Sequence, residues 1–463
     1  MSNSKVSISE KIGYGLGDAA SSMFWKIFSM YLMIFYTDVF GLAPAVVGTL
    51  FLITRIWDSF FDPLVGILGD RTTTKWGKFR PYLLWVAIPF AVIGVLTFYV
   101  PNFDAKGKIV YAYITYSLMM MVYSLINVPY ASLLGVMSSD RKDRNSLSSY
   151  RMVFAFGGSL LALWLLEPLI KYFGGDMNAP QGWFWAIVVF GIITTLFFWG
   201  CFFLTKERIQ PVNEQNNLKE DLKDLWKNKP WWILLGAGVG ALVFNSVRDG
   251  AAVYYFKYYF ENQSTFSLFG MENTPTSLYL VLGQAANIIG VIAATPIANK
   301  IGKKTTFLFA MLTAAVLSVF FFYLDRQNLW LTMTLQALIS MCAGSIFPLI
   351  WSMYADSADY SEYTQGRRAT GLVFSASSMS QKLGWTIGGS LTGWLLAIYG
   401  FQANVAQTEG ALHGIKLMLS IFPGIAAVIS VLFIFFYPLN DEKLTEIEQE
   451  LNARRANNST LEN

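Results

Sequence analysis

The chain has 463 residues, 54% apolar and 16% aromatic, with only 14% charged and a net charge of +4. A soluble domain carries about a quarter charged residues, so this balance excludes an ordinary water-soluble fold. A lone histidine, His413, and two cysteines, Cys201 and Cys342, exclude a His/Cys metal centre and a disulfide framework.

The apolar residues fall in blocks of roughly 20 or more, long enough to cross about 30 Å of hydrocarbon. Twelve spans are predicted, near 13–38, 45–69, 81–101, 109–136, 149–173, 183–204, 231–260, 276–298, 304–324, 329–355, 370–399 and 414–438. The polar residues Met1 to Glu10 ahead of a long first span do not resemble a cleavable signal peptide. An even number of spans puts both termini on one side. That side collects Arg71, Lys75, Lys78, Arg80, Arg141, Arg144, Lys303, Arg368 and further basic residues, whereas the other holds Lys106, Lys108 and Arg326. The asymmetry predicts a multi-pass protein of the cytoplasmic (inner) membrane with both termini in the cytoplasm. The positive balance is then loop charge. The expected partners include the lipid bilayer and no nucleic acid.

In span one, Asp18 and Ser22 share a helical face, with Trp25 and Lys26 beyond, a stripe that either lines a cavity or, for Asp18 near the cytoplasmic end, is simply wet. Span two carries Arg55, Asp58 and Asp62 at i, i+3 and i+7, all on one face. Charges at bilayer depth are retained mainly where they pair, move protons or hold ions. Asp58 and Asp62 repel each other, Arg55 offsets one of them, and about one negative charge remains to attract a cation. Pro63, lacking an N–H, frees the Ser59 carbonyl, which with the Ser59 hydroxyl suits a hard cation such as sodium. No metal site beyond Na+ at Asp58 and Asp62 is expected.

Span four places Tyr123, Ser124 and Asn127 on one face just before Pro129, where Asn127 serves a ligand or a neighbouring helix equally well. Arg151 begins span five, a position from which snorkelling to the basic face is the simplest role. The polar segment 206–230 separates two halves, giving the division 1–205, 206–230, 231–439 and 440–463. The halves echo each other: Gly-Gly-Ser-Leu recurs at Gly157–Leu160 and Gly388–Leu391, and Pro129 of span four matches Pro348 of span ten. In span seven, Arg248, Asp249 and Lys257 either pair locally or line the path. Trp351 in span ten either stacks on a sugar ring or packs. Lys382, deep in span eleven, is placed to pair with Asp58 or Asp62 in competition with a cation. The tail is predicted to form a short surface helix through Arg455 and is assigned no function. No nucleophile–base set or phosphate loop appears, so no enzyme is expected.

The fold class is thus all-α, twelve transmembrane helices in two pseudo-symmetric six-helix halves, an architecture that resembles the major facilitator superfamily. Six motifs narrow this further: Tyr14-Gly-Leu-Gly-Asp18, Tyr36-Thr-Asp-Val-Phe-Gly41, Arg55-Ile-Trp-Asp58 with Asp62-Pro63, Trp76-Gly-Lys-Phe-Arg-Pro81, Asn127-Val-Pro-Tyr130, and Asp356-Ser-Ala-Asp359-Tyr-Ser-Glu362 followed by Lys382-Leu-Gly384. Over residues 8 to 440 the chain resembles the glycoside–pentoside–hexuronide:cation symporter family. The resemblance implies import of a small-molecule sugar (glycoside, pentoside, hexuronide or oligosaccharide) by symport with Na+ or H+, with no cofactor. It implies a cation site of Asp58, Asp62, Ser59, Ser124 and Lys382. It implies a substrate pocket of Asp18, Ser22, Tyr123, Asn127, Arg151 and Trp351. It also implies a cytoplasmic gate of Arg144, Asp356, Asp359, Glu362 and Arg368. Phe61, Ser22, Asn127 and Ala131 depart from the family prototype, which weakens the case for sodium and for a galactoside. A monomer is expected. The rival readings are a transporter of an amphipathic substrate such as a lysolipid and, more remotely, a nontransporting membrane receptor.

Overall fold

The computed structural model describes residues 6–138, 141–208, 225–261, 264–268, 271–366 and 370–461. Helix α1 (Ile8–Ile34) begins at a capping box: the Ser7 hydroxyl accepts from the Glu10 N–H, and the Glu10 carboxylate accepts from the Ser7 N–H. It ends in a wide π turn, Phe35–Val39. Pro44 opens α2 (Pro44–Arg71), where its missing N–H costs nothing. Next come α3 (Arg80–Trp85) and α4 (Ala87–Thr97), separated where Pro89 cannot bond back to Trp85. Then follow α5 (Ala105–Met137), α6 (Arg141–Gly174) and α7 (Pro180–Leu204).

The second half repeats the plan. Helix α8 (Lys229–Tyr254) also ends in a π turn, Tyr255–Tyr259. A two-stranded hairpin, β1 (Phe266–Leu268) with β2 (Met271–Asn273), pairs Phe266 with Asn273 and Leu268 with Met271. Helices α9 (Pro275–Ile301), α10 (Lys303–Phe321), α11 (Leu329–Gln365) and α12 (Thr370–Ile398) follow. Then come α13 (Glu409–Leu419) and α14 (Ile421–Phe435), broken where Pro423 cannot bond to Leu419. The freed Leu419 carbonyl accepts from Arg248 Nη1, and Arg248 Nη2 donates to Gln336 at 2.7 Å. The tail forms α15 (Asp441–Leu461), which continues past Arg455, where the predicted helix stops.

Among the described residues, eight helices are long and apolar enough to cross a membrane. Helices α1, α2 and α12 are long but more polar. With the broken pair α3/α4, and α13/α14 counted as one, they complete twelve spans in two groups of six. On α2 one face of apolar side chains points outward: Ile53, Ile56, Trp57, Leu64 and Ile67 are exposed, while Asp58 is 3% exposed. That is the reverse of a soluble helix and suits a lipid surround.

The chain divides into two compact units. Unit 1 holds residues 1–213 together with 252–284 and 389–415. In it α1 packs on α6 and α7, α2 on α5, and α4 on α5 and α7. Phe24, Phe28, Phe90, Phe98 and Trp183 form its aromatic core. Unit 2 holds 214–251, 285–388 and 416–463, with α10 against α11 and α14 and with α15 against α11.

Candidate functional site

The carboxylates of span two meet span four. The Ser124 hydroxyl lies 2.8 Å from Asp58 Oδ1 and 2.6 Å from Asp62 Oδ1. Asp58 and Ser124 are buried. One hydroxyl carries one proton, so it donates to only one carboxylate at a time. A positive charge beside the two carboxylates eases their convergence on that hydroxyl. The Arg55 guanidinium stands 4.5 Å from the centre of the Trp25 ring, one helical turn from Asp58. Nothing is described for the side chains of Ser59 and Pro63, so that part of the expected site lies outside the described residues.

A second cluster adjoins the first. Arg151 Nε donates to Asp18 Oδ2 at 2.7 Å, and its guanidinium lies 5.4 Å from the Tyr130 ring centre. Snorkelling, the simplest role for Arg151 by position, gives way to this ion pair. Tyr130 is itself fixed: it donates to the Tyr14 carbonyl at 2.7 Å and stacks on the Tyr14 ring at 4.8 Å. The glycines of the Tyr14-Gly-Leu-Gly-Asp18 motif make room for this. A Cβ on Gly17 would stand 2.5 Å from the Tyr130 ring, and one on Gly158 of α6 would stand 2.5 Å from the Ala19 carbonyl oxygen. Asn127 accepts from Ser21 at 2.7 Å and donates to the Tyr123 carbonyl at 2.9 Å. Tyr123 in turn faces Trp25, ring centres 5.7 Å apart. Ser22, expected in the substrate pocket, lies half-buried beside Ser21. The two clusters share neighbouring residues of α5, with Ser124 serving one and Tyr123 and Asn127 the other. The other candidates belong to unit 2: Trp351 faces Tyr354 at 6.0 Å, and the Lys382 carbonyl accepts from Thr386 at 2.7 Å.

Of the expected gate, Asp356 is held by Lys303, Nζ to Oδ1 and Oδ2 at 2.8 and 2.7 Å, within unit 2. Asp359 and Glu362 lie on the same helix, Arg144 is exposed in unit 1, and Arg368 lies outside the described residues. Two networks at the N-terminal end of unit 1 have no counterpart in the motif reading. Glu207 accepts from the backbone N–H groups of Lys78, Phe79 and Arg80, each at 2.8 Å. Gly77, at φ +111°, makes that cradle possible. Nearby, Arg208 donates to Glu10 at 2.7 Å. Burial raises the Glu10 pKa, but the Ser7 N–H and Arg208 outweigh it and hold the carboxyl below its ordinary value.

The opposite end of unit 1 is closed by the two π turns, which occupy matching places in the halves. Lys257 reaches Asp38 Oδ2 at 2.5 Å, Asn178 Oδ1 at 2.8 Å and Asn404 Oδ1 at 3.1 Å. Tyr258 also donates to Asp38, and Thr37 meets the Tyr254 hydroxyl at 2.7 Å. A cavity of about 200 Å³ separates this cluster from buried Glu167, which accepts from Tyr31 at 2.9 Å and from Thr274. The motif Tyr36-Thr-Asp-Val-Phe-Gly41 was the available signal for Asp38. Apart from Thr37 beside it, the partners Lys257, Tyr258 and Asn404 are more than two hundred residues away in sequence and leave no local trace.

Known proteins place this arrangement. Residues 13–441 match the family described as MFS/sugar transport protein. The inner membrane symporter YicJ of Escherichia coli (strain K12) is 35% identical over 453 residues, 97% of this chain and 96% of that protein. The isoprimeverose transporter of Lactiplantibacillus pentosus is 36% identical over 449 residues, 96% of this chain and 91% of that protein. Among solved structures, the xylose transporter XylE from E. coli, inward open, superposes with a TM-score of 0.67 at 14% identity, covering 96% of this chain and 98% of that one. It supports the fold alone. With its twelve spans and paired halves, this chain is a multi-pass membrane transport protein and not an enzyme, and it belongs to the MFS/sugar transport protein family.

Proposed function

We propose that the chain imports a small-molecule sugar across the inner membrane by symport with a cation, H+ or Na+. The observation that carries this reading is the Ser124 hydroxyl shared by Asp58 and Asp62. Two carboxylates that converge on one hydroxyl are eased by an added proton or cation, and they adjoin the Asp18–Arg151 and Asn127 cluster through α5. Cation uptake neutralises the pair and firms the α2–α5 contact, which steadies the neighbouring polar pocket for sugar. The two affinities then rise together. The ion pair and amide of that pocket suit a polyol better than an amphipath. YicJ is named a symporter, and the protein from L. pentosus an isoprimeverose transporter, in keeping with this reading.

In this proposal the chain acts as a monomer in two six-span halves, 1–205 and 231–439, joined by the linker 206–230, with both termini in the cytoplasm. Ser22 and Trp351 add to the sugar pocket, Ser59 and Lys382 to the cation site. Arg144, Asp356, Asp359, Glu362 and Arg368 form the cytoplasmic gate. The test is uptake of labelled glycosides, pentosides and uronides into vesicles, with a sodium gradient, a pH gradient or neither. Accumulation is expected under one gradient and lost in Asp58→Asn/Asp62→Asn. Undiminished accumulation in that double variant overturns the mechanism.

A further inference from the structure

The geometry points to Asp18 as the residue that sets the charge of the transported sugar: by neutralising Arg151, it makes the pocket select an uncharged sugar over a uronide. The inference rests on the sugar-transport reading and names the substrate class within it.

Arg151 is the pocket's obvious anchor for an anion, yet its charge is already matched. The 2.7 Å bond from Nε to Asp18 Oδ2 leaves a pair with no net charge. The guanidinium is further fixed over the Tyr130 ring, and Tyr130 is locked to Tyr14 by stacking and by a hydrogen bond. Arg151 therefore does not swing away from Asp18 without losing two contacts at once. A sugar carboxylate entering here competes with Asp18 for one guanidinium and stands beside a like charge, the repulsive element by which sites reject wrong ligands. Lys26, two turns along α1, is engaged by other groups.

A neutral sugar meets the opposite situation. The side chains of Arg151 and Asp18 are 36% and 15% exposed, so the pair is accessible and not sealed in packing. Among the described residues, Arg151 Nη1 and Nη2 and Asp18 Oδ1 make no hydrogen bond. Donors on one side and a carboxylate acceptor on the other complement vicinal hydroxyls, each of which both donates and accepts.

The test is binding by the purified full-length protein, measured calorimetrically for methyl β-D-xylopyranoside, methyl β-D-glucopyranoside and methyl β-D-glucuronide. The wild type is expected to bind the better neutral glycoside about tenfold or more tightly than the glucuronide. Asp18→Asn is expected to shift that ratio about tenfold toward the glucuronide, and Asp18→Glu to keep the neutral preference. A merely structural Asp18 would weaken all three ligands together and leave the ratio unmoved, which overturns the inference. A wild type that prefers the glucuronide overturns it regardless of how the variants fold. Binding of none of the three overturns the assignment of a monosaccharide glycoside to this pocket, a failure distinct from that of the wider sugar reading, which the uptake panel tests.

Discussion

A hydroxyl carries one proton, and Ser124 faces two carboxylates with it. Ser124→Ala is expected to weaken cation binding roughly tenfold, the worth of one hydrogen bond to a charged group, while the protein still folds. The check is the cation concentration that half-activates sugar uptake. Glu10 gives a test by pH. Its folded carboxyl titrates below the ordinary value of 4.5, so its contribution is complete above that value and is lost as pH falls through the lower folded one. Wild type is thus expected to melt higher than Glu10→Gln at neutral pH, with the gap closing on acidification below about pH 4. That Asp58 and Asp62 stand together was legible in the sequence, because i, i+4 spacing brings two side chains onto one helical face. The Ser21–Asn127 bond was not, since it depends on the rotation of α1 against α5, which residue types do not record.

Whole spans were legible for the same reason that membranes simplify structure: backbone groups satisfied only by helices force long apolar blocks. The π turns were not, since one extra residue per turn leaves apolar periodicity nearly unchanged. Close contacts between helices can be tested directly. Gly158→Ala puts a Cβ against the Ala19 carbonyl and is expected to destabilise by about 1–3 kcal/mol, read as a lowered Tm in detergent. Gly157, one position earlier, has no atom within 4 Å of an added Cβ, and Gly157→Ala serves as the silent control. The Glu207 cradle gives a second measurement. Glu207→Ala leaves three backbone N–H groups without their acceptor and is expected to cost about 2 kcal/mol, with thermal melting as the check. The basic loop of Trp76-Gly-Lys-Phe-Arg-Pro81 is legible through Lys78 and Arg80. Its backbone, which holds Glu207, cannot be seen in residue types.

At the scale of the molecule, the compact units do not follow the midpoint of the chain. Unit 1 takes in 252–284 and 389–415, and the division into two six-span halves carried no sign of this. Helical repeats record evolutionary and topological kinship, whereas compactness reflects which ends are drawn together in one arrangement. Lys257 holds much of that arrangement. Lys257→Met is expected to leave Asp38 without its ammonium and to loosen this end. A cysteine introduced as Thr276→Cys should then react faster with a membrane-impermeant thiol reagent than it does beside Lys257. Reactivity unchanged between the two would show that the cluster does not seal the cavity.

The order of synthesis gives the Lys257 cluster another meaning. A ribosome makes Asp38 long before Lys257 and longer still before Asn404, so the first six helices are inserted while their buried acid lacks a counter-charge. That acid therefore meets its counter-charge only once Lys257, past the midpoint of the 463-residue polypeptide, has been made, and the cluster is complete only after Asn404 follows. Final closure of this end is accordingly a late, post-insertion event rather than a step in the folding of either half.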